Sequence, residues 1–230
     1  MEFRFKQFIV KQENEVFKIS TDSVLLGAWV NLQQAKNVLE VGTGTGVISL
    51  MLAQRFDVNI NAIDIQEKAV ALANENFQSS PWKLKICAEK KDFLDMDEKP
   101  VYDAIVSNPP YFENSLKSNN SSKMMARHLD FLPLHLMAQK IQKCLSPEGA
   151  FFVILPPESF EKLEMELKNV GLFLYQQCSI SSFENAKIIR KMGAFSRKPL
   201  ITKFENLYLY KNTERNRSDQ YHELTKEFYL

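Results

Sequence analysis

Residues 37–55 constrain this chain more than any other stretch. An apolar run, Asn37-Val38-Leu39-Glu40-Val41, passes straight into Gly42-Thr43-Gly44-Thr45-Gly46. Apolar residues then recur at helical spacing: Val47, Ile48, Met51 and Leu52. A buried strand, a glycine turn and a helix in direct succession form the unit from which doubly wound α/β sheets are built. The glycines let the backbone turn sharply and come close to a ligand. Their spacing is Gly-x-Gly-x-Gly, whereas dinucleotide-binding loops carry Gly-x-Gly-x-x-Gly, so the pattern argues against a pyrophosphate.

Three further strand ends extend the pattern. Asn59–Asp64 reads as a second strand closing on an acid. Asp64 lies about 20 residues past the glycine loop, where a carboxylate bonds ribose hydroxyls; capping the helix Glu67–Phe77 is its structural alternative. Leu84–Ala88 is a third strand, followed by Lys91-Asp92-Phe93, an acid–aromatic pair able to take an adenine amine and cover its ring. Asp103–Ser107 is a fourth, broken by Asn108-Pro109-Pro110-Tyr111. Proline has no N–H to give a strand ladder, so Asn108 is left at the C-terminal sheet edge, where open α/β folds bind ligands.

The Asn108 side-chain oxygen and the Pro109 carbonyl then form fixed acceptors for a planar NH2 group, with Pro110 stiffening the turn and Tyr111 as a flat wall. An adenine or cytosine amine, or a glutamine amide, fits. The lone pair of such a nitrogen is delocalised. Hydrogen bonds that draw its hydrogens out of plane localise and aim it, which is preorganised electrostatics. Taken together, the four strand ends trace one cofactor with a reaction site beside it.

The rest of the chain sets bounds. A length of 230 residues predicts one domain, with 1–34 as an N-terminal extension and 35–230 as the α/β core. The net charge of +1 requires any basic face to be local. Cys87, Cys144 and Cys178 are scattered, giving neither a disulfide framework nor zinc spacing, and are expected as buried thiols. No metal is expected. No run is long enough to span a membrane and no signal core opens the chain, so a cytoplasmic protein is expected. Phe3–Val10 and Val16–Ile19 suggest a hairpin, and Ser20-Thr21-Asp22-Ser23 supplies N-cap chemistry to the next helix. Residues 112–127 form a long polar loop, suited to a flap over the target. Lys187–Lys203 carries Lys187, Arg190, Lys191, Arg197, Lys198 and Lys203 without an acid, interleaved with apolar residues. It is the best local candidate for phosphate contacts, a solvated strand face being the alternative. Phe204–Tyr210 is a last strand and Asp219–Leu230 a closing helix.

Glu40-Val41-Gly42-Thr43-Gly44-Thr45-Gly46 resembles the cofactor loop of class I S-adenosylmethionine-dependent methyltransferases, and Asn-Pro-Pro-Tyr resembles the signature of their amino-group methylating branch. Phe5-Lys6-Gln7-Phe8, the stretch Lys18–Trp29, Ala126-Arg127-His128 and the ending Leu224–Leu230 are similar to the bacterial tRNA1(Val) adenine-37 N6-methyltransferase family. The resemblance implies a Rossmann-like seven-stranded mixed sheet of order 3-2-1-4-5-7-6 and methylation of adenine beside the anticodon of a valine tRNA; a monomer is expected. It implies that Gly42, Gly44 and Gly46 shape the methionine pocket, with Glu40 in the same loop. Asp64 would hold the ribose, with Ile65 beside it on the cofactor, Asp92 and Phe93 the cofactor adenine, and Asn108–Tyr111 the target. Asn108 would also border the cofactor. Thr21 would lie near the cofactor carboxylate, and Arg127 would join the basic residues on RNA. This sequence has Ser23 where the family carries glycine.

Other readings use parts of the same pattern. A glutamine-amide methyltransferase shares the tetrapeptide, but the basic stretch and the lack of an added recognition domain oppose it. A DNA adenine methyltransferase would need a base-reading domain. A nicotinamide oxidoreductase conflicts with the loop spacing. A non-catalytic RNA-binding scaffold would bind no cofactor.

Overall fold

A computed structural model describes residues 1–16, 18–32, 34–99, 101–109 and 134–229. The strand–glycine–helix unit forms as the sequence predicts: β3 (Asn37–Val41), the loop, then α2 (Val47–Arg55). Ahead of it stand β1 (Glu2–Arg4), β2 (Ile9–Lys11) and α1 (Thr21–Trp29). After it come β4 (Asn59–Asp64), α3 (Glu67–Gln78), β5 (Ile86–Lys90), a single 3-10 turn (Phe93–Asp95) and β6 (Tyr102–Ser107). The second half holds α4 (Leu134–Cys144), β7 (Leu145–Leu155), α5 (Pro157–Asn169), β8 (Phe173–Ser181), β9 (Ile188–Ser196), β10 (Lys203–Tyr208) and α6 (Asp219–Thr225).

The large sheet has the order β10-β8-β9-β7-β6-β3-β4-β5, with β9 antiparallel to both neighbours and the other pairs parallel. Among the described residues the expected count of seven strands in this sheet is corrected to eight. Counted from β3, the first seven run 3-2-1-4-5-7-6, and β10 adds a parallel strand outside β8. Central strands are apolar on both faces because both faces are covered. On β6, Ala104 and Val106 join the core beneath α1 and α2, while Ile105 joins the core beneath α4 and α5.

The N-terminal hairpin differs from the sequence reading. Both its strands lie before Gln12, so the second is Ile9–Lys11 and not Val16–Ile19. The out-of-phase apolar residues explain this: Phe5 and Phe8 stack with ring centroids 4.6 Å apart in the turn, and both are buried. Lys6 N donates to Phe228 O at 2.8 Å, tying the hairpin to the chain's last turn. The third strand begins later than expected, leaving Leu84 94% exposed. Cys144 and Cys178 are buried but Cys87 is exposed, on the edge strand of the sheet.

Candidate active site at the C-terminal edge of the sheet

Gly42, Gly44 and Gly46 have φ of 77°, 53° and 80°, a region that side chains with a Cβ adopt at a cost. Gly42 and Thr43 both donate their N–H to Ile63 O, which folds the loop back over the end of β4. A Cβ on Gly46 would strike the Phe77 ring, whereas a Cβ on Gly42 would meet nothing within 4 Å. The loop is thus packed hard below and open above. The open side is where a ligand can sit against the backbone.

Glu40 lies under this loop, 1% exposed. Its Oε2 accepts from Thr43 Oγ1 at 2.8 Å and from Ser49 Oγ, so one carboxylate joins strand, loop and helix α2. Its Oε1 is buried without a hydrogen-bond partner. Burial pushes the carboxyl up to about 7, against the two hydroxyl bonds that favour the anion. The structure therefore seals Glu40 beneath the loop. Thr43 and Ser49 are additions to the sequence reading, and nothing in the sequence distinguishes Ser49 from an ordinary helical serine.

Asp64 occupies the end of β4. Its Oδ2 accepts from Gly44 N at 3.0 Å and its Oδ1 from Gln66 N at 2.9 Å. Burial raises its pKa, and those backbone donors oppose the rise. Each oxygen keeps a lone pair for a hydroxyl donor. Ile65, next to it, is 39% exposed. Asp92 caps the 3-10 turn, accepting from Leu94 N at 2.9 Å, and is exposed. Phe93 is 3% exposed and packs with Ile63, Ile105 and Met137. Its ring is core, so the exposed apolar surface at this edge comes from Ile65.

Asn108 and Pro109 follow Ser107 at the end of β6, half-buried. Ser107 Oγ donates to Val41 O at 3.0 Å and pairs in register with Val41, so Asn108 stands one strand away from the glycine loop. Among the described residues, the Asn108 carboxamide takes no hydrogen-bond partner. Pro110, Tyr111, the 112–127 loop and Arg127 lie outside the described residues.

Helix α1 starts at the same edge. Arg55, at the far end of α2, donates to Gly27 O and Val30 O at the far end of α1, so the two helices run parallel and their N-termini are neighbours. Ser20 and Ser23 form a reciprocal capping box, which gives the Ser23 hydroxyl a local role at the start of the helix. Thr21 opens the helix, half-exposed. Asp22 accepts from Arg190 Nε at 2.8 Å, binding α1 to the start of β9.

The basic stretch is not one surface. It forms β9, which runs away from the active edge, placing its two ends on the order of 30 Å apart. Lys187, Arg190 and Lys191 are at the active edge. Lys187 is exposed, Arg190 pairs with Asp22, and Lys191 pairs with Glu161 at 3.1 Å. Arg197, Lys198 and Lys203 are at the opposite edge. There Arg197 donates to the carbonyls of Gln142 and Leu145, Lys198 pairs with Glu148, and Lys203 pairs with Glu205. Among the described residues, no group of three or more His, Cys, Asp or Glu could hold a metal ion, and no helix is long and apolar enough to cross a membrane.

Comparison with known proteins agrees with this geometry. Residues 7–158 match the family model described as Methyltransferase small domain. A Phocaeicola vulgatus protein named tRNA1(Val) (adenine(37)-N6)-methyltransferase is 40% identical over 99% of this chain and 97% of its own. A protein of the same name from Bacteroides thetaiotaomicron is 39% identical over the same shares, and one from Shewanella sp. is 36% identical over 100% of this chain and 99% of its own. Among solved structures, a predicted O-methyltransferase from Agrobacterium tumefaciens superposes with a TM-score of 0.71 at 12% identity, over 90% of this chain and 96% of that one. The chain belongs to the methyltransferase small domain family and, within it, to the bacterial group whose full-length members carry the name tRNA1(Val) (adenine(37)-N6)-methyltransferase.

Proposed function

We propose that this chain methylates the exocyclic N6 amine of an adenine in tRNA using S-adenosylmethionine, with adenine 37 of tRNA1(Val), the nucleotide in its relatives' names, as the target. The observation that carries the reading is the Asn108–Pro109 turn, half-exposed one strand from a glycine loop whose upper side is open.

The residues present fit the cofactor. The space over Gly42 admits a close-lying ligand, Asp64 offers acceptors for ribose hydroxyls, and exposed Asp92 offers one for an adenine amine. Ile65, not the buried Phe93 ring, provides apolar contact for the adenine, and Phe93 contributes backbone alone. Gly44 and Gly46 shape the loop, Glu40 braces it from below, and Thr21 opens α1 at the same edge of the sheet. When bound, S-adenosylmethionine supplies a methyl group activated by a positively charged sulfur.

The chain's own task is orientation. The Asn108 side-chain oxygen and the Pro109 carbonyl accept the two hydrogens of the target amine, turning its lone pair outward. Preorganised acceptors and the alignment of two reactants supply the rate. Tyr111, outside the described residues, is assigned from the sequence as the ring that stacks on the base, a contact worth roughly 1–3 kcal/mol. A base in a single-stranded loop is splayed out at less cost than one in a duplex. The surplus proton leaves to solvent past Asn108. Lys187 serves the RNA backbone at this edge, with Arg190 and Lys191 held beside it, and Arg127, which lies outside the described residues, is assigned to the RNA from the sequence alone.

A glutamine amide would fit the same acceptors, but the full-length likeness to proteins named for tRNA favours adenine. Nucleoside mass spectrometry of bulk tRNA, from cells with and without this gene, tests the reading. N6-methyladenosine should fall on deletion and return on complementation. Unchanged levels would refute it. Thermal protection by S-adenosylmethionine and not by NADH separates this reading from an oxidoreductase.

A further inference from the structure

The strand order divides the active edge into two halves. β3, β4 and β5 end in the glycine loop, Asp64 and Asp92, the groups fitted to the cofactor. β6 ends at Ser107, with Asn108 just beyond it at the boundary. Beyond it lie β7, β9, β8 and β10, and an RNA bringing a base to Asn108 has to rest over that half. β10, outside the expected seven strands, extends it to four strand spacings of about 4.8 Å, or about 19 Å from β6. That span is comparable with the width of a nucleic-acid stem.

Two loops rise from this half. One joins β8 to β9 over residues 182–187. The other follows β10 and returns to α6 over residues 209–218. Tyr210 N donates to Ser182 O and Leu209 N to Ser181 O, both at 3.0 Å, and the Phe183 and Tyr210 rings lie 5.8 Å apart. The second loop is a closed turn: Tyr210 bridges Arg217, Lys211 N donates to Asn216 O at 2.8 Å, and Arg215 N donates to Asn212 O at 3.1 Å. The Arg217 guanidinium stacks over Tyr210 and Tyr221, 4.9 and 4.2 Å from the ring centroids, and anchors the turn. Arg215 stands at its tip with φ of 62°, exposed. Lys211 is paired with Asp219. Among the described residues, neither Lys187 nor Arg215 is in an ion pair. Exposed Asn185, Asn212 and Asn216 add amides between these cations.

We infer that the two joined loops form a shelf for the tRNA backbone, with Lys187 and Arg215 as its phosphate contacts. Exposed cations on two loops joined by backbone hydrogen bonds, with amides and aromatic rings nearby, suit a phosphate backbone better than a base edge. Glu184 and Glu214 in the same loops limit the shelf to a few contacts. The inference rests on the tRNA reading above.

The test compares two double variants that each remove two positive charges. Lys187→Ala with Arg215→Asn strips the shelf, asparagine being chosen because it tolerates the left-handed backbone at position 215. Lys198→Ala with Lys203→Ala strips the opposite edge. Filter binding of unmodified tRNA across a salt series, calorimetry with S-adenosylmethionine and thermal melting are read on each. The shelf variant should bind tRNA about tenfold more weakly, with the slope of log K against log salt reduced by about 1.5 to 2. Its cofactor affinity and melting temperature should match the parent's. The opposite-edge variant should bind tRNA like the parent. Equal tRNA binding by the two variants overturns the shelf, as does a shelf variant that loses cofactor affinity in step. A parent protein that binds tRNA but transfers no methyl overturns the functional reading instead, and the shelf is then judged on binding alone.

Discussion

Gly42 and Gly46 share a backbone conformation and lie four residues apart, yet alanine should do opposite things at the two positions. Both φ values are near +80°, so each substitution costs about 1–2 kcal/mol of left-handed backbone strain. At Gly46 the new methyl meets the Phe77 ring, with Cζ 2.8 Å away, and the Ala73 methyl at 3.3 Å. Phe77 is fully buried and cannot swing aside, so overpacking adds about 1–3 kcal/mol, for a total of about 2–5 kcal/mol. At Gly42 there is nothing to strike, and the total stays near 1–2 kcal/mol. That methyl, however, enters the open space over the loop, where the proposed function places the cofactor. Urea unfolding should therefore place Gly46→Ala well below Gly42→Ala in stability. Calorimetry should find Gly42→Ala weakened in S-adenosylmethionine affinity by about tenfold or more, the cost of a 1.4 kcal/mol misfit. Parental affinity in Gly42→Ala would refute the placement of the cofactor over this glycine. Equal destabilisation by the two variants would refute the packing difference between them.

Three further outcomes follow from the same geometry. Glu40 is raised to about 7, so the fold prefers its neutral form. Its contribution is fully present below about 4.5 and is lost as pH rises through about 7, on the order of 3 kcal/mol. Glu40→Gln should thus gain stability relative to the parent between pH 5 and pH 8 in denaturant titrations, and a difference independent of pH would contradict this. Asp64→Ala should raise the KM for S-adenosylmethionine before it lowers kcat in steady-state assays; a pure loss of kcat would count against a ribose contact. Arg190→Met leaves the Asp22 carboxylate half-buried and without its guanidinium, so Asp22→Asn should recover part of its stability loss, with a coupling of about 1–2 kcal/mol in a double-mutant cycle. Additive losses would mean that the pair is incidental.

The site is legible in the sequence where local chemistry dictates backbone. Glycine at positive φ, an acid closing a strand and prolines ending a ladder are each decided within a few residues, and Gly42, Asp64 and Asn108 stand on adjacent strand ends as expected. What the sequence hides depends on partners distant in the chain. Phe93 reads as a ligand cover because its neighbours in the core, Ile105 and Met137, are far off in sequence. The basic run reads as one patch because a one-dimensional pattern cannot show that an antiparallel strand carries Lys187 and Lys198 to opposite edges of the sheet. The Arg215 turn gives no sequence signal because its position beside the 182–187 loop exists only once β10 pairs with β8.

Asn108→Ala offers the sharpest test of the proposed chemistry. Single-turnover methyl transfer to unmodified tRNA and calorimetric titration with S-adenosylmethionine should be run on the same preparation. If the acceptor pair orients the target amine, transfer falls by at least about two orders of magnitude, the scale of removing one preorganised contact, while cofactor affinity stays within about twofold. Transfer that survives the substitution, or cofactor binding that disappears with it, would contradict the role of Asn108 as an acceptor for the amine.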